Sequence, residues 1–271
     1  MILGRLNRDN NNGYRDINKT IIISIFFTVL LSCSKDDTIN CVSFSFPDDY
    51  KYPVIPGTQE WIDLESRPAR AQACIIPQEI LESISTGGLL ESLLNYPFIM
   101  DYGYWDKFQS GFNQLKSENI GFTELYQRED IYQVLYDRYK LMSLNCEDIY
   151  PPFIGGISTP VPISFTTIEL FIFQDEFLGK LNQNKVIEVF KLTYEKLQLK
   201  IDHEYFEIEK LVSAAILGKI MHWEKFKPFM DECSNNEFIE FFIESIPNFS
   251  PAEINPAEII TKYAGDFYSE I

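Results

Sequence analysis

Residues 168–173 read IELFIF, and whether they form strand or helix decides the fold. The composition suits a buried strand, because branched and aromatic side chains pack well on a pleated surface. The apolar positions do not stop at Phe173, however. Phe177, Leu178 and Leu181 continue them, and a pattern of that length reads as helix rather than strand.

The flanking sequence agrees. Downstream, helical spacing recurs at Val186, Val189, Phe190 and Leu197, at Leu211, Ala215 and Ile216, and at Phe238, Phe241 and Phe242. Ser250-Pro251-Ala252-Glu253 and Asn255-Pro256-Ala257-Glu258 each place a capping side chain before a first-turn proline and an early glutamate. A final helix to about residue 268 follows. Upstream, residues 150–162 (YPPFIGGISTPVP) hold four prolines and two glycines, which forbid a regular element. We read them as a packed loop in preference to a hinge.

Further upstream, Asp130 stands where it can cap a helix carrying Ile131, Val134, Leu135, Leu141 and Met142 on its inner face. Trp105, Phe108, Phe112 and Leu115 form a second stripe. Pro77 opens a helix with Ile80, Leu81 and Ile84. Residues 85–88 (STGG) interrupt it and restart another with Leu89, Leu90, Leu93 and Leu94. Thr58 caps the first. The expected fold is an all-α multi-helix domain over residues 51–271, with a solenoid-like stack of helical pairs as one arrangement. No repeat period supports the stack.

Composition bounds the function. The 271 residues include 40 Asp and Glu against 23 Lys and Arg, a formal charge of −17. Such a surface repels phosphate backbones, so nucleic acid is not an expected partner. The 22 Phe and 15 Tyr supply a large core.

The N-terminus carries an address. Residues 21–31 (IIISIFFTVLL) are apolar apart from Ser24 and Thr28, too short for a membrane span of about 20 residues but suited to the centre of a secretory signal behind Arg15 and Lys19. Leu30-Leu31-Ser32-Cys33 resembles a bacterial lipobox. The resemblance implies cleavage before Cys33 and lipid on its sulfur and new amino group, so that the membrane is met through a lipid anchor. Ser34-Lys35-Asp36-Asp37 resembles the surface-export signal of Bacteroidetes lipoproteins, which implies an outer-membrane protein facing the cell exterior. Asp37-Thr38-Ile39 resembles the O-glycosylation motif of that phylum, with Thr38 as acceptor. Residues 1–32 are then a signal peptide and 33–50 a flexible tether. Residues 1–16 are an unusually long polar lead, and a translation start near Ile17 is expected. Within the body, YPVIPGTQEW, ACIIPQEIL, STGGLL and LNYPF resemble a module of uncharacterised secreted proteins from gut bacteria, which implies no activity.

Beyond Cys33 remain Cys41, Cys74, Cys146 and Cys233. An even set in an exported chain either pairs, for instance Cys41 with Cys74 and Cys146 with Cys233, or lies buried as free thiols. Their spacing suits no zinc motif.

No sequence pattern carries catalysis. There is no GxSxG, GxGxxG, P-loop or HExxH. Gly155-Gly156-Ile157-Ser158 lacks the preceding strand of a nucleophile elbow. The two histidines, His203 and His222, read as helix residues, and Asp202-His203-Glu204 points its side chains in different directions. No metal and no cofactor is expected. Tyr102, Tyr104 and Trp105, and the face formed by Tyr132, Tyr136 and Tyr139, either stack on sugar rings if exposed or fill a core. The expected role is non-enzymatic interaction or binding by a membrane-anchored lipoprotein. A glycan-binding accessory protein of an outer-membrane uptake system is the alternative, and an enzyme with an unrecognised carboxylate pair comes third.

Overall fold

IELFIF is helical. In the computed structural model it ends a helix, Val161–Phe173, whose side chains from Phe165 onward are all buried. A helix buried on every side is stable only when others enclose it, and this one packs against the helices Phe108–Glu118, Ile131–Leu141, Asp175–Leu178 and Glu207–Trp223. The structure describes residues 46–144, 146, 161–201, 207–249 and 254–271. Cys33, Thr38, Cys41, His203, residues 155–158 and the cap at residues 250–253 lie outside them.

Every regular element among the described residues is a helix. The first half contains α1 Gln59–Asp63, α2 Arg67–Ala73, α3 Gln78–Ser83, α4 Thr86–Leu94, the 3-10 segment η1 Ile99–Tyr104, α5 Phe108–Glu118, α6 Ile120–Gln127 and α7 Ile131–Leu141. The second contains α8 Val161–Phe173, α9 Asp175–Leu178, α10 Gln183–Ile201, α11 Glu207–Trp223, α12 Lys227–Asn235, α13 Glu237–Ser245 and α14 Pro256–Glu270. The expected loop thus yields Val161 and Pro162 to the first turn of α8, a position proline tolerates.

Two buried helices organise the rest. α11 is enclosed by α8, α10, α12, α13 and α14, and Ala214, Ala215, Leu217 and Met221 are shut off from solvent. A Cβ at Gly218 would lie 2.5 Å from Ile243 and 3.3 Å from both Ile260 and Phe229, so three helices close on its backbone and only glycine fits. One helix with five neighbours is not a stack in which each unit meets only the next. The solenoid-like arrangement is therefore replaced by a globular bundle. α8 joins the two halves: its Phe171 ring lies 5.1 Å from Phe112 of α5 and 5.5 Å from Phe122 of α6. Burying a side chain of this size contributes about 1.5–3 kcal/mol.

Local signals held at several ends. Thr58 accepts from the Trp61 amide and Asn255 from Glu258, while Ser85, read only as part of an interruption, accepts from Gly88 and caps α4. Others gave way to tertiary contacts. Asp130 makes no cap bond; its carboxylate takes the Thr86 hydroxyl at 2.5 Å. The stripe through Leu181 is not one helix, because Gln174 adopts an extended backbone, ψ 140°, between α8 and α9. Phe46 to Tyr50, the end of the expected tether, dock on α4 instead. Asp48 accepts from the Ser85 amide at 2.7 Å, and the Tyr50 amide donates to Ser92 at 2.7 Å.

Candidate functional site

The Trp105–Leu115 stripe breaks where the site forms. α5 begins only at Phe108; Trp105 ends η1 with an extended backbone, ψ 149°. A 3-10 segment turns once in three residues, so Tyr102 and Tyr104 diverge. Tyr102 points inward, 3% exposed, its ring edge-on to Phe108 and its hydroxyl 3.3 Å from that of Thr167. Tyr104 is 88% exposed and Trp105 44%. The expected trio is thus split: Tyr104 and Trp105 face solvent, and Tyr102 is core.

Gly111 makes this possible. A Cβ there would meet the Tyr102 Cα and carbonyl oxygen at 2.5 Å and the Trp105 ring at 2.9 Å. The missing side chain lets η1 lie directly on α5. The opposite edge is fixed from α13, whose last turn ends at Ile246 in the left-handed region, φ 47°. That conformation is strained for a branched residue. It delivers the Ile246 carbonyl to the Phe108 amide at 3.0 Å, and Asn248 then donates to the carbonyls of Asp106 at 2.9 Å and Trp105 at 3.1 Å.

Between these walls is a cleft of about 370 Å³ lined by Arg67, Asp101, Tyr104, Trp105, Gln114 and Glu118, with Gly111 and Leu115 below. This volume falls at the small end of ligand sites. Arg67, the first residue of α2, lies over the Phe98 ring at 4.8 Å. Its Nη1 and Nη2 donate to Glu118 at 2.7 and 2.8 Å, and its Nε and Nη2 to Asp101 at 3.2 and 2.8 Å. Gln114 adds a bond to Glu118 at 2.8 Å. The hydrogen bonds from Arg67 hold the Glu118 carboxyl below the usual carboxylate range, against the opposing effect of its burial. The same bonds, accepted by Glu118 and Asp101, keep the Arg67 guanidinium protonated still more firmly.

A second polar cluster is sealed in the core. Glu169 of α8 accepts on one oxygen from Tyr139 at 2.6 Å, from Ser213 at 2.8 Å and from Lys200. Lys200 also donates to the Ser213 hydroxyl at 2.8 Å. A serine beside a lysine has the groups of a nucleophile and its base, but Ser213, Lys200 and Glu169 are all 0% exposed. Burial holds the Lys200 ammonium below its usual range, against the opposing pull of Glu169. We read the cluster as a tie among α7, α8, α10 and α11.

The remaining candidates fall elsewhere. Tyr132 and Tyr139 are buried, and Tyr132 stacks on Tyr136 at 5.5 Å, so this face is packing. His222 lies in the last turn of α11. Cys74 and Cys233 are free, buried thiols, and Cys146 is disulfide-bonded. Neither Cys41–Cys74 nor Cys146–Cys233 therefore forms; the helices bury Cys74 and Cys233 as small apolar groups. Among the described residues no cluster of His, Cys, Asp or Glu is placed to hold a metal, and no helix is long and apolar enough to cross a membrane.

No protein-family model, curated protein or solved structure matches this chain. The cleft is read from its geometry alone. Sequence reading found its aromatics but missed Arg67, Asp101, Gln114 and Glu118, which no local pattern links. Glu169 did leave a trace, as the single charge inside IELFIF.

Proposed function

We propose that this chain is a non-enzymatic glycan-binding lipoprotein, held at the outer membrane by lipid on Cys33 and serving a glycan-uptake system as an accessory binder. One observation carries the reading: Tyr104 and Trp105 present aromatic surface to solvent beside hydrogen-bonding Arg67, Asp101, Gln114 and Glu118 in a single cleft. Sugars offer that combination of surfaces, an apolar C–H face and a rim of hydroxyls. The anchor rests on the lipobox resemblance of residues 30–33.

The carboxylate pair in the cleft does not favour hydrolysis. A glycosidase keeps one carboxyl protonated as general acid. Here both carboxylates pair with one guanidinium, and Glu118 is held toward its ionised form.

Two measurements test the proposal. Replacing Trp105 with Ala should weaken glycan binding about tenfold, near 1.4 kcal/mol, with no change in thermal midpoint. Unaltered binding removes the cleft from the function. Cys33→Ala should abolish labelling by fatty acid and release the protein from membranes; continued labelling removes the anchor.

A further inference from the structure

The cleft also carries a charge preference, and the inference rests on the glycan reading above. We infer that it takes uncharged or amine-bearing sugars and rejects acidic ones such as uronates and sulfated sugars.

Among the described residues, Arg67 is the sole basic one lining the cleft. Acidic sugars are held best by a guanidinium that offers two parallel N–H donors. A guanidinium has five such donors in all, and Arg67 makes four hydrogen bonds to Asp101 and Glu118. Its fork is occupied. Its position over the Phe98 ring and the attachment of its partners to η1 and α5 keep it from turning outward. An acidic sugar must therefore displace a carboxylate that is already bidentate, or approach the group without a free donor pair.

The pair of carboxylates leaves the cleft one negative charge in excess. Asp101 and Glu118 keep about a quarter and a sixth of their side chains exposed, enough to accept from a sugar hydroxyl or ammonium. Gln114 and the exposed rings add no charge. The long-range field has the same sign, since the chain carries −17, and it repels polyanions most strongly at low salt. Local chemistry and overall field thus select in the same direction.

The test uses the full-length protein in detergent micelles on an array of immobilised neutral, amine-bearing, uronate and sulfated glycans, at low and high salt. Retention should fall among the neutral and amine-bearing glycans. Each acidic glycan should bind about tenfold more weakly than its neutral counterpart at low salt, with the gap narrowing as salt screens it. Glu118→Gln should narrow the gap at both salts, and Asp101→Asn gives the same readout should Glu118→Gln fail to fold. Acidic glycans binding as tightly as their neutral counterparts overturn the charge preference and leave the glycan reading standing. Retention that survives Trp105→Ala, or no retention of any glycan, overturns both.

Discussion

The ammonium of Lys200 donates to the carboxylate of Glu169 at a point in the bundle where neither side chain touches solvent. Removing one member of a sealed pair strands the other charge, which costs about 3–5 kcal/mol, whereas removing both is far milder. Lys200→Met should therefore lower the urea midpoint sharply. Adding Glu169→Gln to it should recover a large part of the loss. A double variant no more stable than Lys200→Met would show that the pair is not coupled.

Gly111 sets the approach of η1 to α5. Gly111→Ala places a methyl 2.5 Å from the Tyr102 backbone, a strain of about 1–3 kcal/mol. The expected result is a lower thermal midpoint together with altered emission from Trp105. A fall in midpoint with Trp105 emission untouched would mean that the strain is absorbed on the α5 side.

The Arg67–Glu118 pair gives a pH dependence of defined sign. The folded value of Glu118 lies below its ordinary 4.5, so the unfolded chain binds the proton first as pH falls. The stabilisation is complete above about pH 4.5 and is lost as pH drops through the lower folded value. Between pH 6 and 3, Glu118→Gln should start less stable and lose less midpoint than the parent. Parallel losses would place the acid sensitivity elsewhere.

Burial pushes the thiols of Cys74 and Cys233 up to about 11. Thiolate is the reactive form, so at pH 8 both should resist iodoacetamide in the folded protein and react once urea unfolds it. Peptide mapping by mass spectrometry reads the difference; modification of native protein at either cysteine would show that its helix opens locally.

How far these features were legible follows from how local their causes are. The all-α class was, because the apolar pattern starting at IELFIF exceeds strand length. The caps at Thr58 and Asn255 were, because each bond spans three residues. The Asp130 cap was misread because Thr86, 44 residues away, claims its carboxylate. The cleft was half legible: Tyr104 and Trp105 stand together in sequence, but Arg67 reaches Asp101 and Glu118 across 34 and 51 residues. The break at Gln174 answers to partners on another helix, since its amide group exchanges bonds with Gln109 at 3.0 Å.

The bond from Asn248 to the Trp105 carbonyl closes a loop of 143 residues. Contacts of such separation form late, because loop closure must be met in entropy before the contact contributes. The edge of the cleft that bears Trp105 is thus completed by Asn248, far downstream in the chain. During synthesis the aromatic surface waits, unfinished, until α13 has left the ribosome and folded back onto it.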